Sequence, residues 1–198
     1  MQSGMTKGRL IDFFNQGYSV SPVIYQQIAE HFTYKKLAKG EFQLLAEKVC
    51  NEYFFLEKGY MRAFVHDTAG NEVTTNFYTP GQMVFEVSSF FKRGKSKENI
   101  HALSECEGWF ITFSQLNELF HNIPEFRDFG RSILVQGFSE LKSRMLSMIT
   151  ETAEQRYIEL LKSNPVIFQH APLKNIASFL GITDTSLSRI RKDFAKRR

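Results

Sequence analysis

The ten residues from Thr183 to Lys192, TDTSLSRIRK, concentrate side chains that can hydrogen-bond outward. At helical spacing Leu187 and Ile190 share one face, while Thr185, Ser186, Ser188, Arg189 and Lys192 are exposed on the other. Hydroxyls beside a guanidinium and an ammonium suit recognition of a polar, anionic surface, unlike the Glu/Lys pairs that merely keep a helix soluble. Bond-making chemistry has no comparable cluster. The five histidines, His31, His66, His101, His121 and His170, are scattered, and none forms the close His-x-His pair of metal-binding barrels. No P-loop, G-x-S-x-G or HExxH motif occurs. Cys50 and Cys106 are far apart and lack paired zinc spacing. No catalytic residue and no metal site are expected. A cupin-like enzyme, suggested by the turn Pro80-Gly81-Gln82, is a competing reading without its ligands.

These side chains need a helix held against a second one. Pro172 suits the start of a helix, and Ile176, Ala177 and Leu180 fall on one of its faces. Gly181 ends it, Thr183 caps the next, and Asp184 in the first turn suits the helix dipole. Ala177 is small where two helices crossing steeply must approach. Pro172–Lys192 is the pattern of a helix-turn-helix, and the run Lys196-Arg197-Arg198 follows it. An ordinary helical hairpin has apolar positions at the same spacing. The glycine, the small residue and the outward hydrogen-bonding face together favour DNA.

The 198 residues carry a net charge of +4, unevenly spread. Ala153–Arg198 holds nine Lys/Arg against four Asp/Glu, a net of +5, so the preceding residues sum to −1. Only the C-terminal unit is expected to meet a polyanion. Two cysteines suggest a reduced, cytoplasmic protein. The N-terminus lacks a signal pattern, and no apolar run reaches membrane-spanning length. Twenty phenylalanines suit a sandwich or barrel core.

Along the chain, Ile11, Phe13 and Phe14 suggest a short packing helix, and Pro22–Phe32 a second through Ile24, Ile28 and Phe32. Short alternating runs fill Thr33–Thr112, with Met61, Ala63 and Val65 on one face and Val73, Thr75 and Phe77 on another. Turns at Lys39-Gly40, Lys58-Gly59, Ala69-Gly70-Asn71 and Pro80-Gly81 separate them. An antiparallel β-sandwich or jelly roll follows. Ser114 is expected to cap a short helix, Gln115–His121, and Asn122 a long one running to about Ile149. Leu134, Phe138, Leu141, Met145, Met148 and Thr152 are spaced as a heptad seam, which fits either a dimer or a helix lying on the β-domain. Thr152-Ala-Glu-Gln155 has the form of a capping box that restarts the chain after a break at Thr150–Thr152. The fold class is α+β, with an effector domain over 1–121, a dimerisation helix over 122–150 and an all-α helix-turn-helix domain over 151–198.

Three stretches together resemble the CRP/FNR family of bacterial transcription regulators: Phe54–Gln82, the long helix after Asn122, and Leu173–Lys192. The resemblance implies a cytoplasmic homodimer that reads a palindromic double-stranded operator, contacts RNA polymerase and answers to a small-molecule effector. It places Asp184, Thr185 and Arg189 where members contact bases. Thr183 and Ser186 fall where they contact phosphate, and Lys192 joins them by its charge. Arg189 can bind guanine O6 and N7 in bidentate fashion. Asp184 and Thr185 replace the Arg-Glu pair common in members, so operator preference should differ; Asp184 can accept from a cytosine amino group or stabilise the helix N-terminus, and the second reading is favoured. The resemblance also places the effector pocket at Phe85, Glu86, Glu98 and Asn99. Phe85 stands where a glycine is usual, and Glu98-Asn99-Ile100 where Arg-Ser/Thr-Ala is usual. A carboxylate there disfavours a cyclic phosphate. Lys92, Arg93, Lys95 and Lys97 nearby are read as a solvated loop, so usual cyclic-AMP binding is not expected. Two cysteines fall short of the four thiolates of the family's iron–sulfur sensors, and the scattered histidines offer no clear haem ligand. The wing that usually follows the recognition helix is expected to be absent or truncated after Arg198. The competing reading of the same features is a ligand-sensing dimerisation module whose helix-turn-helix contacts protein.

Overall fold

The computed structural model describes residues 7–15 and 22–197. Two short helices, α1 (Gly8–Phe14) and α2 (Pro22–Glu30), precede eight strands. The strands are β1 (Thr33–Leu37), β2 (Phe42–Leu44), β3 (Glu52–Lys58), β4 (Met61–His66), β5 (Glu72–Tyr78), β6 (Gln82–Val84), β7 (Asn99–Ala102) and β8 (Cys106–Thr112). They form two four-stranded antiparallel sheets, ordered β1-β8-β3-β6 and β2-β7-β4-β5. The sandwich expected over Thr33–Thr112 is therefore present. One short helix, α3 (Val87–Lys92), interrupts it.

Phenylalanines fill the sandwich and tie it to the helices. Phe54, Phe55 and Phe90 are buried inside with Leu56, Met61, Ala63 and Ile111. The Phe14 ring meets Tyr25, Phe32, Phe126 and Phe129, so α1 and α2 are joined to the start of the long helix by aromatic contacts. Leu10 and Phe14 are the fully buried residues of α1, and Tyr25 and Ile28 those of α2.

The expected alternation of β5 is broken. Arg62 pairs with Phe77 and Ala63 with Asn76, but Phe64 pairs with Thr74, leaving Thr75 as an extra residue. This bulge places Thr74 and Phe77 on the face that carries Arg62 and Phe64. Val73, Thr75 and Phe77 thus do not share a face.

Both expected caps of the next helices are corrected. Helix α4 runs Phe113–Asn122 and is capped by Thr112, not Ser114: Thr112 Oγ1 accepts from Gln115 N, and the Gln115 side chain accepts from Thr112 N. Asn122 ends α4. The long helix α5 (Pro124–Thr150) starts from extended Ile123 with Pro124 in its first turn and no side-chain cap. The tertiary fit of Phe126 and Phe129 holds that end in place.

Helix α5 stops at Thr150, Glu151 is extended, and Thr152 caps α6 (Ala153–Ser163) through the expected box with Gln155. The last elements are α7 (Ile167–His170), α8 (Leu173–Phe179) and α9 (Asp184–Lys196). Their core of Tyr157, Leu160, Ile167, Ile176, Ala177, Leu180 and Leu187 is continuous with Phe77 and Leu103 of the sandwich. Helix α8 therefore rests on the outer face of β5.

Candidate nucleic-acid interface and effector pocket

The turn between α8 and α9 is closed by backbone geometry. Ile182 N donates to Ala177 O at 3.0 Å and Gly181 N to Ser178 O at 3.1 Å, the paired bonds of a Schellman ending. Gly181 has φ 68°, and a Cβ there would collide with the Met148 side chain of α5. Only glycine meets both conditions. Thr183 Oγ1 accepts from Ser186 N at 3.2 Å and lies 3.0 Å from Ser186 Oγ. These two hydroxyls, expected at phosphates, already engage each other as the cap of α9.

Leu187 is fully buried against Ile176, Ala177 and Leu180, and Ile190 is half-buried. That packing turns Asp184, Thr185, Ser188, Arg189 and Lys192 outward, all exposed. Arg191, which the sequence leaves undecided, is also exposed and lines a groove with Tyr157 and Leu161. Two basic residues are structural. Arg156 donates to Leu180 O and Glu151 O, fastening α6 to the turn, and Arg197 pairs with Glu154 at 2.6 Å.

All five seam residues expected on α5 lie on a run of exposed apolar side chains beginning at Leu134. Phe138 is 70% exposed and Leu141 64%; Met145 is also open. Val135, Leu146 and Ile149 widen the stripe, with Ile149 at 73%. Met148 is partly committed to the same chain through Gly181.

Around the expected effector pocket, each residue is occupied by the protein itself. Glu86 caps α3, accepting from Ser88 N at 3.0 Å and Ser89 N at 2.6 Å. The Phe85 ring packs 4.6 Å from Tyr53 and 5.7 Å from Phe90. Asn99 Oδ1 accepts from Ala46 N at 2.9 Å. Burial pushes the Glu98 carboxyl above the usual carboxylate range and Glu86 adds to the push, against the opposing effects of Thr75 and then Arg144 of α5. Lys92, Arg93, Lys95 and Lys97 are all exposed, as expected of a solvated loop. Two of them are nonetheless engaged: Arg93 donates to Cys50 O, Phe90 O and Asn51 and lies over Phe113, and Lys95 pairs with Glu47 at 3.2 Å. Sequence reasoning did not single out Arg144 or the cross-chain contacts of Arg93, because acceptors such as Cys50 O, Thr75 O and Phe179 O are distant in the chain. Cys50 and Cys106 are buried and unpaired, and burial pushes both thiols up. Among the described residues, no three His, Cys, Asp or Glu side chains gather as a metal-ligand set, and no helix is long and apolar enough to cross a membrane.

Residues 34–122 match the cyclic nucleotide-binding domain family. The transcriptional activator protein anr of Pseudomonas aeruginosa is 23% identical over 171 residues, covering 79% of this chain and 68% of that protein. A solved transcriptional regulator of the CRP/FNR family from Eubacterium rectale superposes with a TM-score of 0.72 at 14% identity, over 94% of this chain and 88% of that one. The chain shares the fold of that CRP/FNR regulator, and its residues 34–122 carry the match to the cyclic nucleotide-binding domain. The c-di-GMP-responsive global regulator CLP of Xanthomonas campestris shares the fold, with a TM-score of 0.69 at 13% identity over 89% of this chain and 93% of that one. In this chain the sandwich lies within the stretch that matches the cyclic nucleotide-binding domain, and α8 and α9 form a helix-turn-helix.

Proposed function

We propose that this protein is a homodimeric, sequence-specific DNA-binding regulator whose sensor domain does not hold a cyclic-nucleotide phosphate. The outward face of α9 carries the reading. A capped helix, set on a closed turn, exposes Thr185, Ser188, Arg189 and Lys192 together. Asp184, Thr185 and Arg189 are assigned to base edges, and Thr183, Ser186 and Lys192 to phosphates. Asp184 in the first turn also stabilises the helix end.

The apolar stripe of α5 supports the dimer, because a run of exposed Phe, Leu, Met and Ile side chains is costly to leave in water. Two copies joined along α5 would present two α9 helices to successive major grooves, about 34 Å apart on a palindromic site. The division into an effector domain (1–121), a dimerisation helix (122–150) and a DNA-binding domain (151–198) belongs to this reading. RNA polymerase is the further partner it implies.

Glu86 spent as a helix cap, Phe85 packed among aromatic rings and an acidic Glu98 support a degenerate phosphate site. Selection of bound duplexes from a randomised library, with and without cyclic AMP, tests the reading. A palindrome enriched equally in both conditions is the expected result. Enrichment only with cyclic AMP overturns the assignment of the pocket, and enrichment under no condition overturns the DNA reading.

A further inference from the structure

The outer face of the second sheet meets the helix-turn-helix across a cleft of about 280 Å³. Its lining includes Arg62, Glu72 and His101 from the sandwich, Lys39 from the loop after β1, and His170 and Lys174 from the C-terminal helices. Arg62 is the unusual member. It is a charged side chain only 1% exposed, opposite Phe77 on β5 and His101 on β7. Its Nε donates to Thr74 Oγ1 at 2.8 Å and its Nη1 to Glu72 Oε2 at 2.6 Å. Its Nη2 has no partner, and neither does His101 Nε2, although both atoms are buried. A buried guanidinium nitrogen without an acceptor is costly, and cross-strand pairing puts a second unused nitrogen beside it.

We infer that this cleft binds a small oxyanion, bearing a phosphate or a carboxylate, held by Arg62 and His101 at its base and by Lys39 and Lys174 at its rim. The charges agree with this assignment. Arg62, Lys39 and Lys174 are opposed by Glu72 alone among the acidic residues lining the cleft. An oxyanion has at least two acceptor oxygens, which matches two orphaned donors when His101 carries its proton on Nε2.

The site also bridges the two halves of the molecule. Thr74, which accepts from Arg62, lies 2.9 Å from Ser178 Oγ in α8, and Thr74 N donates to the same hydroxyl at 3.1 Å. An anion on Arg62 would be linked through Thr74 to α8 and through Lys174 to the same helix. This inference is independent of DNA binding and of the cyclic-nucleotide pocket.

The test is an NMR titration of the full-length protein, labelled at its histidine nitrogens, with inorganic phosphate and separately with malonate at constant ionic strength. The expected result is a saturable shift of the His101 imidazole signals, with a several-fold weaker affinity in the variant K39M/K174M, whose exposed substitutions leave the core intact. The anion giving the tighter curve identifies the phosphate or the carboxylate as the natural class. No saturable shift with either anion overturns the inference. So does an affinity unchanged in K39M/K174M, or a response confined to His31, His66 and His121, which lie outside the cleft.

Discussion

Arg144 of α5 donates to the carbonyl of Phe179 in α8 at 3.2 Å, and its guanidinium carbon lies 3.9 Å from the centre of the Phe179 ring. The same side chain donates to Thr75 O in the β5 bulge. One arginine thus joins the long helix, the sandwich and the helix-turn-helix. Its planar fork allows this, because two carbonyls on different elements are met by separate nitrogens.

Replacing Arg144 by alanine would remove both bonds and the ring contact. Hydrogen bonds to charged groups are worth about 1.5–3 kcal/mol, so a loss of that order is expected in urea unfolding. Arg144→Lys should recover only part of it, since one ammonium cannot reproduce the fork. Amide exchange in Leu173–Phe179 should quicken in both variants. Unchanged protection there would show that α8 is held by its apolar contacts alone.

Glu98 should make stability depend on pH. Its folded value lies above the ordinary 4.5, first through burial and then through Glu86. Proton binding therefore favours the folded state. The contribution is complete below the ordinary value and is lost as pH rises through the folded one. Glu98→Gln keeps the side chain neutral at every pH. Its melting temperature should exceed that of the wild type at pH 7, and the two should converge below about pH 4. A lower melting temperature at pH 7 would mean that Thr75 and Arg144, which favour the carboxylate, together outweigh burial.

The apolar stripe of α5 predicts the assembly state. Phe138→Glu places a charge where a partner helix would exclude water, a position at which an unpaired charge costs several kcal/mol. Sedimentation velocity should show a dimer for the wild type and a monomer for the variant at the same concentration. A dimer in both would move the interface elsewhere.

On α9, Arg189 and Lys192 should fail differently. Arg189→Ala is expected to cost about 1–3 kcal/mol on the preferred duplex and to relax the sequence preference. Lys192→Ala should weaken all duplexes alike and lower the salt dependence by about one counterion. Quantitative binding to matched and scrambled duplexes over a salt series separates them. Equal losses on both duplexes for Arg189→Ala would make it a phosphate contact.

Much of this protein was legible in residue order because its signals are local. The strand region Thr33–Thr112, the Thr152–Gln155 capping box, Gly181 and the burial of Ile176, Ala177, Leu180 and Leu187 depend on neighbours within a few residues. Caps depend on local geometry too, yet Ser114 and Asn122 were plausible at the wrong places: Thr112 had the reciprocal Gln115, and the start of α5 is set by aromatic packing rather than by a side-chain oxygen.

What only the tertiary structure decided are the relationships that residue order cannot encode locally. The β5 bulge reverses which residues face outward, since one unpaired Thr75 shifts a period-two pattern. Arg62 and Arg144, which residue order does not single out, become donors to groups on other elements, and Arg93, read as solvated, also donates to Cys50 O across the chain. The seating of α8 on the sandwich arises in the same way. Residue order by itself determined the elements and their outward-facing chemistry; folding decided which distant groups meet, because burial and hydrogen bonding act between neighbours in space.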